Sequence, residues 1–161
     1  MRIENVDWQI TSRCNRRCPY CFGPTGINDL PLSDVKSIVD TLTKMGVKQI
    51  GITGGEPLLY PHIAELIEYI VSKDIQIYLS SNCDHYSDFA RLIKEKISIL
   101  GVPLDGASVI THDSIRGPGS FRNVTSAISD ICSSHCSTKV KVGTVLLSSN
   151  VSGFRKRILR P

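Results

Sequence analysis

Three cysteines crowd one short segment, Cys14-Asn15-Arg16-Arg17-Cys18-Pro19-Tyr20-Cys21. Thiolates are the ligands of iron–sulfur clusters and of zinc. A structural zinc site takes four ligands. No fourth Cys or His stands nearby; His62 and the later cysteines belong to other elements. The spacing also differs from the four-Cys runs of ferredoxins. Three thiolates on a four-iron cluster leave one iron without a protein ligand, open to a small molecule carrying an amine and a carboxylate. Such a site acts chemically on what it binds. Zinc, or three unrelated cysteines, are the alternatives. Arg13, Arg16 and Arg17 flank the thiolates and would offset their charge.

Cys83, Cys132 and Cys136 are scattered and read as ordinary small buried residues. Cys132 and Cys136 stand four apart in a helical pattern and could share a face. Two further segments carry chemistry-bearing residues. In Gly54-Gly55-Glu56-Pro57 the glycines let backbone approach a ligand closely. Their carbonyls and the Glu56 carboxylate can accept hydrogen bonds from an ammonium. In Arg116-Gly117-Pro118-Gly119 the guanidinium can give two parallel bonds to a carboxylate.

The elements that must position these groups alternate. Val6, Trp8 and Ile10 alternate with polar residues as a first strand. Ser33 is a candidate N-cap for a helix over 34–44. The pattern continues with a strand over 47–53, a helix over 62–72, a strand over 75–79, a helix over 86–95 and a strand over 97–102. An irregular loop to Pro118, a helix over 121–133 and a strand over 140–147 complete it. About five strand–helix repeats with short turns describe parallel βα units. The fold class expected is α/β: an open, partial (β/α) barrel, shortened at its C-terminus, in one domain over 1–161. Chemistry in such folds sits at the carboxyl ends of strands. The cysteines, Gly54-Gly55-Glu56, Asn82, Asp105 and Asn150 all fall there.

Cys-x3-Cys-x2-Cys, with the aromatic Tyr20 before the last Cys, resembles the hallmark of the radical S-adenosylmethionine superfamily. The resemblance implies that Cys14, Cys18 and Cys21 hold a 4Fe–4S cluster whose fourth iron takes the amino and carboxylate groups of S-adenosylmethionine. Gly54-Gly55-Glu56 resembles the segment that holds the methionyl amine. Arg116-Gly117 resembles an Arg-Gly pair that contacts the methionyl carboxylate in viperin-like and peptide-modifying members. Asn82 ends strand three where many members carry Asn-Gly, with Cys83 replacing the Gly. Leu104-Asp105-Gly106 resembles the strand-four pattern, with Pro103 in place of a ribose-binding Ser. Gly143-Thr144-Val145 and Asn150 resemble the segment facing adenine and ribose. The activity implied is reductive cleavage to methionine and a 5′-deoxyadenosyl radical, which abstracts hydrogen from a substrate, with flavodoxin or ferredoxin as electron donor. The substrate, peptide or nucleotide, is not legible. A non-catalytic iron–sulfur module of the same family is the alternative, because the sixth strand and later parts expected of the family core are missing.

The 161 residues, 41% hydrophobic and 21% charged, describe a globular domain with a true core. No apolar run reaches the roughly 18 residues of a membrane span, and Glu4 and Asp7 interrupt the first apolar stretch, unlike a secretory signal. A cytoplasmic location is expected. The net charge of +4 owes much to Arg155, Lys156, Arg157 and Arg160. No aromatic residues interleave with them, so nucleic-acid binding is not expected.

Overall fold

The computed structural model describes residues 3–23, 26 and 28–151. The basic cluster at 155–160 lies outside them. Five parallel strands form one sheet in sequence order: β1 (Asn5–Thr11), β2 (Gln49–Gly54), β3 (Gln76–Ser80), β4 (Ile99–Pro103) and β5 (Lys139–Gly143). The helices are α1 (Leu32–Lys44), α2 (Ile63–Val71), α3 (Tyr86–Lys96), α4 (Val109–Arg116) and α5 (Ser120–Ser133). This is the expected open α/β half-barrel. Consecutive strands lie side by side because each helix carries the chain one strand further round.

Alternation along the strands splits the sheet into two unlike faces. Ile50, Ile52, Ile77, Leu79, Leu100 and Val102 are buried among the helices. They meet Val35 and Val39 of α1, Leu66, Ile67 and Ile70 of α2, Ile93 of α3 and Val124 and Ala127 of α5. The other face is polar. There Asp7 of β1 lies over Gly51, and Tyr78 of β3 leans over Gly101, so a Cβ at either glycine would meet a side chain within 2.2 Å. Lys141 sits 5.2 Å from the centre of the Tyr78 ring. One face therefore holds the domain together, and the other is left to line a space.

Four expectations are corrected. α1 begins two residues earlier than Ser33 would allow as a cap; Pro31 is its N-cap, with no side-chain cap bond, and proline preset to φ −65° starts a helix without losing a needed donor. The segment before Pro118 is not irregular. It contains α4, capped by Ser108, which accepts from the Thr111 N–H at 3.3 Å, and ended by Gly117 at φ 98°. The β-branched run Val109-Ile110-Thr111 hid the helix, although its caps were legible. Cys136 lies beyond the end of α5, so it shares no helical face with Cys132. The last strand is also shorter, ending at Gly143.

Leu100, fully buried on β4, probes the core. Leu100→Ala is expected to lower stability by about 2–5 kcal/mol, read as a lower urea midpoint at unchanged slope.

Candidate functional site

The segment after β1 has no regular structure of its own and is held by its neighbours. The Thr11 carbonyl accepts from the Gly55 N–H at 2.8 Å, and the Arg13 carbonyl from the Glu56 N–H at 2.7 Å. The cysteine loop is thus laced to the end of β2. Gly54 sits at φ 147°. A Cβ on Gly55 would stand 2.2 Å from the Arg13 carbonyl oxygen. Gly55 is needed first for close approach of two backbones.

Cys14, Cys18 and Cys21 line one cleft of about 380 Å³, together with Tyr20, Gly54, Gly55, Asn82, Arg116 and Val145. Every strand end contributes to its wall. Burial raises the pKa of the Cys14 thiol, against a backbone N–H from Arg16. Burial also raises that of Cys18, against the positive charge of Arg116. Each of these two thiols also feels the charge of Cys21. No three His, Cys, Asp or Glu side chains among the described residues converge as tightly as one metal ion requires. A four-iron cube, which spreads its thiolate ligands over separate corners, makes no such demand. The donor set of three thiols on one cleft wall therefore fits a cluster of that kind.

The arginines divide differently from what their sequence neighbourhood implied. Arg13 pairs with Asp29 at 2.7 Å and Arg16 with Asp84 at 2.5 Å, so their charges are largely matched by carboxylates. Arg116, a hundred residues away in sequence from Arg16, supplies positive charge at Cys18.

Three expected ligand groups are spent inside the protein. The Glu56 carboxylate is 1% exposed. It accepts from Ser81 Oγ at 2.8 Å, the Asn82 N–H at 2.7 Å and the Leu58 N–H at 3.2 Å. Burial raises its pKa and these bonds oppose the rise. Glu56 locks the ends of β2 and β3 together, leaving the Gly54-Gly55 backbone to face the cleft. Asn82 donates to Asn15 Oδ1 at 2.8 Å and accepts from the Asp84 N–H at 2.9 Å. Asn150 donates to the carbonyls of Asp105 and Val145, both at 2.8 Å.

Asp105 is fully buried. It accepts from the Tyr20 hydroxyl, from Arg116 Nε at 2.5 Å and from the Val145 N–H at 2.8 Å. Its own N–H donates to His112 Nδ1 at 3.1 Å, and His112 Nε2 lies 3.0 Å from Ser120 Oγ. Buried His112 is thereby held neutral, with a pKa lowered by burial and then by the charge of Arg116. The Arg116 guanidinium lies 5.4 Å from the centre of the Tyr20 ring; of its nitrogens only Nε is hydrogen-bonded among the described residues, and the two Nη are not. The role of Asp105 as an anchor and that of His112 behind it were missed, because neither partner is close in sequence to Tyr20 or Val145. Cys83, at the position where Gly is common, takes φ 65°. Burial, then the charges of Glu56 and Asp84, push its thiol up to about 12; Cys83 is buried and is not among the residues that line the cleft.

A half-barrel of parallel strands with a three-cysteine cleft at its carboxyl rim is the scaffold of a cofactor-dependent enzyme class. The chain belongs to the radical SAM superfamily, whose family model matches residues 8–154. The chain is 30% identical over 152 residues to mycofactocin maturase MftC of Mycobacterium tuberculosis, covering 91% of this chain and 39% of the relative. It is 32% identical over 135 residues to GTP 3′,8-cyclase of Desulforamulus reducens, covering 78% and 42%. Streptococcus suis SuiB bound to S-adenosylmethionine shares the fold, with TM-score 0.80 and 18% identity over 98% of this chain and 37% of that one. The chain thus spans about two-fifths of the length of the curated relatives it matches. Its family implies S-adenosylmethionine and a 4Fe–4S cluster. Among the described residues no helix is long and apolar enough to cross a membrane.

Two outcomes follow. Gly55→Ala should displace the cysteine loop and lower iron uptake as well as ligand binding, measured by iron analysis after anaerobic reconstitution. Asp105 titrates with a depressed pKa: burial alone would raise it, but the bonds from Tyr20, Val145 and Arg116 outweigh burial. A depressed folded value means the contribution is complete above the ordinary value of about 3.9 and lost as pH falls through the folded value. Asp105→Asn should therefore lower neutral stability and flatten the acid limb of the urea-denaturation profile.

Proposed function

We propose that this chain is the cofactor-binding core of a radical S-adenosylmethionine enzyme, with Cys14, Cys18 and Cys21 as the three protein ligands of a 4Fe–4S cluster. The observation that carries the reading is the convergence of three thiols on one cleft whose rim also presents the Gly54-Gly55 backbone and the uncommitted Nη end of Arg116. The cluster, when bound, supplies the electron that cleaves the sulfonium of S-adenosylmethionine to a 5′-deoxyadenosyl radical. A flavodoxin or ferredoxin is the proposed electron donor.

The chain's own residues bind and orient. The Gly54-Gly55 carbonyls accept from the methionyl ammonium. Arg116, aimed by Asp105, gives its Nη donors to the methionyl carboxylate. Val102, Pro103 and Val145 line the same cleft and offer an apolar wall to the nucleoside. Pro103 has neither hydroxyl nor backbone donor, so the ribose contact falls to other groups. Asn82 and Asp105 act behind the ligand, by shaping the loops that touch it.

A peptide is the proposed substrate class. The support is SuiB bound to its precursor peptide SuiA, which shares this fold at TM-score 0.76 and 19% identity over 96% of this chain and 36% of that one. The relative that is a GTP cyclase keeps a nucleotide as the rival.

Anaerobic reconstitution should give about four irons and four sulfides per chain with broad visible absorbance. Cys14→Ala, Cys18→Ala and Cys21→Ala should each abolish it, and Cys83→Ala, Cys132→Ala and Cys136→Ala should not. Dithionite with S-adenosylmethionine should then yield 5′-deoxyadenosine; a full cluster without that product would leave a non-catalytic module. Arg116→Lys keeps the charge but loses the planar fork. It should weaken S-adenosylhomocysteine binding by about ten- to hundred-fold and leave 5′-deoxyadenosine, which has no carboxylate, unchanged by calorimetry.

A further inference from the structure

Arg16 stands between the first two cysteines, where a cation would be expected to face the thiolates or the solvent. Arg16 contributes to the lining of the cleft, but its side chain is only 11% exposed and its guanidinium is committed to other partners. Nε and Nη2 form a fork on the two oxygens of Asp84, at 2.6 and 2.5 Å. The two N–H groups of Nη1 are shared among three successive carbonyls, those of Arg116 at 3.0 Å, Gly117 at 2.9 Å and Pro118 at 3.2 Å. All three nitrogens are committed.

The carbonyls it gathers follow the last turn of α4, where helix acceptors are left without partners and a cation is favoured. Gly117, at φ 98°, turns the chain so that consecutive carbonyls can face one donor; a Cβ there would sit 3.1 Å from Arg16 Nη1. Asp84 is itself anchored. It accepts from Asn15 Nδ2 at 2.6 Å and Asn123 Nδ2 at 2.8 Å, and its N–H donates to Asn82. Its pKa reflects this: burial alone would raise it, but the bonds from Arg16 and Asn123 bring it down. Arg116 is consequently gripped twice. Asp105 holds its side chain from one side and Arg16 holds its backbone from the other.

We propose that Arg16 is a positioning residue that sets the direction of Arg116, so that the cysteine loop and the carboxylate donor form one rigid unit. The proposal rests on the reading of Arg116 as the methionyl-carboxylate donor. Arg16 touches no ligand in this scheme and acts through Arg116 alone. A lysine cannot replace it, because one ammonium cannot both fork onto Asp84 and reach the three carbonyls.

A double-mutant cycle tests this on the reconstituted protein, with S-adenosylhomocysteine and 5′-deoxyadenosine titrated by calorimetry and iron measured in each sample. Arg16→Leu should keep its iron and bind S-adenosylhomocysteine about ten-fold more weakly, as expected for a misdirected charged hydrogen bond. Added to Arg116→Ala, it should cause no further loss, since its target is gone. 5′-Deoxyadenosine should bind equally in all four proteins. Arg16→Lys, which keeps the loop's charge, should behave as Arg16→Leu and serves in its place if the leucine variant fails to fold or to hold iron. Additive losses, an equal loss for both ligands, or wild-type binding by either Arg16 variant would overturn the proposal. A wild-type protein that takes up no iron, or an Arg116→Ala variant that binds S-adenosylhomocysteine normally, would instead overturn the underlying reading, and shows itself in the single-variant titrations.

Discussion

The site depends on one buried carboxylate. Asp105 lies just beyond β4 and accepts from the Tyr20 hydroxyl of the cysteine loop, Nε of Arg116 at the end of α4, and the Val145 N–H beyond β5. A fully buried carboxylate left unpaired is costly, whereas one that receives several donors is stable and ionised. Removing any one donor weakens the case for burying the charge at all. The three segments are therefore coupled through a shared acceptor, and the cleft they enclose has a defined shape without secondary structure of its own. His112 backs this arrangement as a neutral acceptor for the Asp105 N–H.

Glu56 plays the corresponding part on the opposite side of the cleft, joining β2 to the end of β3 through Ser81 and Asn82. Both acidic groups accept several hydrogen bonds from the protein and brace the loops around the cleft. The groups that line the cleft include the three thiols, glycine backbone, Tyr20 and Tyr78, Asn82, and Arg116. This division suits a site that must hold a charged cofactor in a fixed pose, since braces that are already satisfied do not reorganise when a ligand arrives.

The polar face of the sheet adds to the picture. Asp7, Tyr78 and Lys141 stand over Gly51 and Gly101 on the side away from the helices. A face that buried only apolar groups would have closed the half-barrel into a core. Here the glycines make room for the Asp7 and Tyr78 side chains, and Gly101 and Tyr78 line the cleft beside the cysteine loop.

The sequence by itself determined the order of the strands, the parallel sheet and the rim on which Cys14, Cys18 and Cys21 gather. Alternation in β1 and β3 and the apolar stripes of α2 and α5 are local signals, and spacing within Cys14–Cys21 is local too. It also contained the caps of α4, Ser108 and Gly117, though the β-branched residues between them obscured the helix. Tertiary structure alone decided which polar residues face the cleft. Glu56, Asn82 and Asp105 sit at strand ends as expected, but a strand end fixes only where a side chain starts. Which way it points is set by partners 25 to 85 residues distant, Ser81, Asn15 and Tyr20. The pairing of Arg16 with Asp84 and with the carbonyls after α4 is of the same kind, because a guanidinium's choice among carboxylates, carbonyls and thiolates is made by three-dimensional proximity that no spacing in the chain encodes.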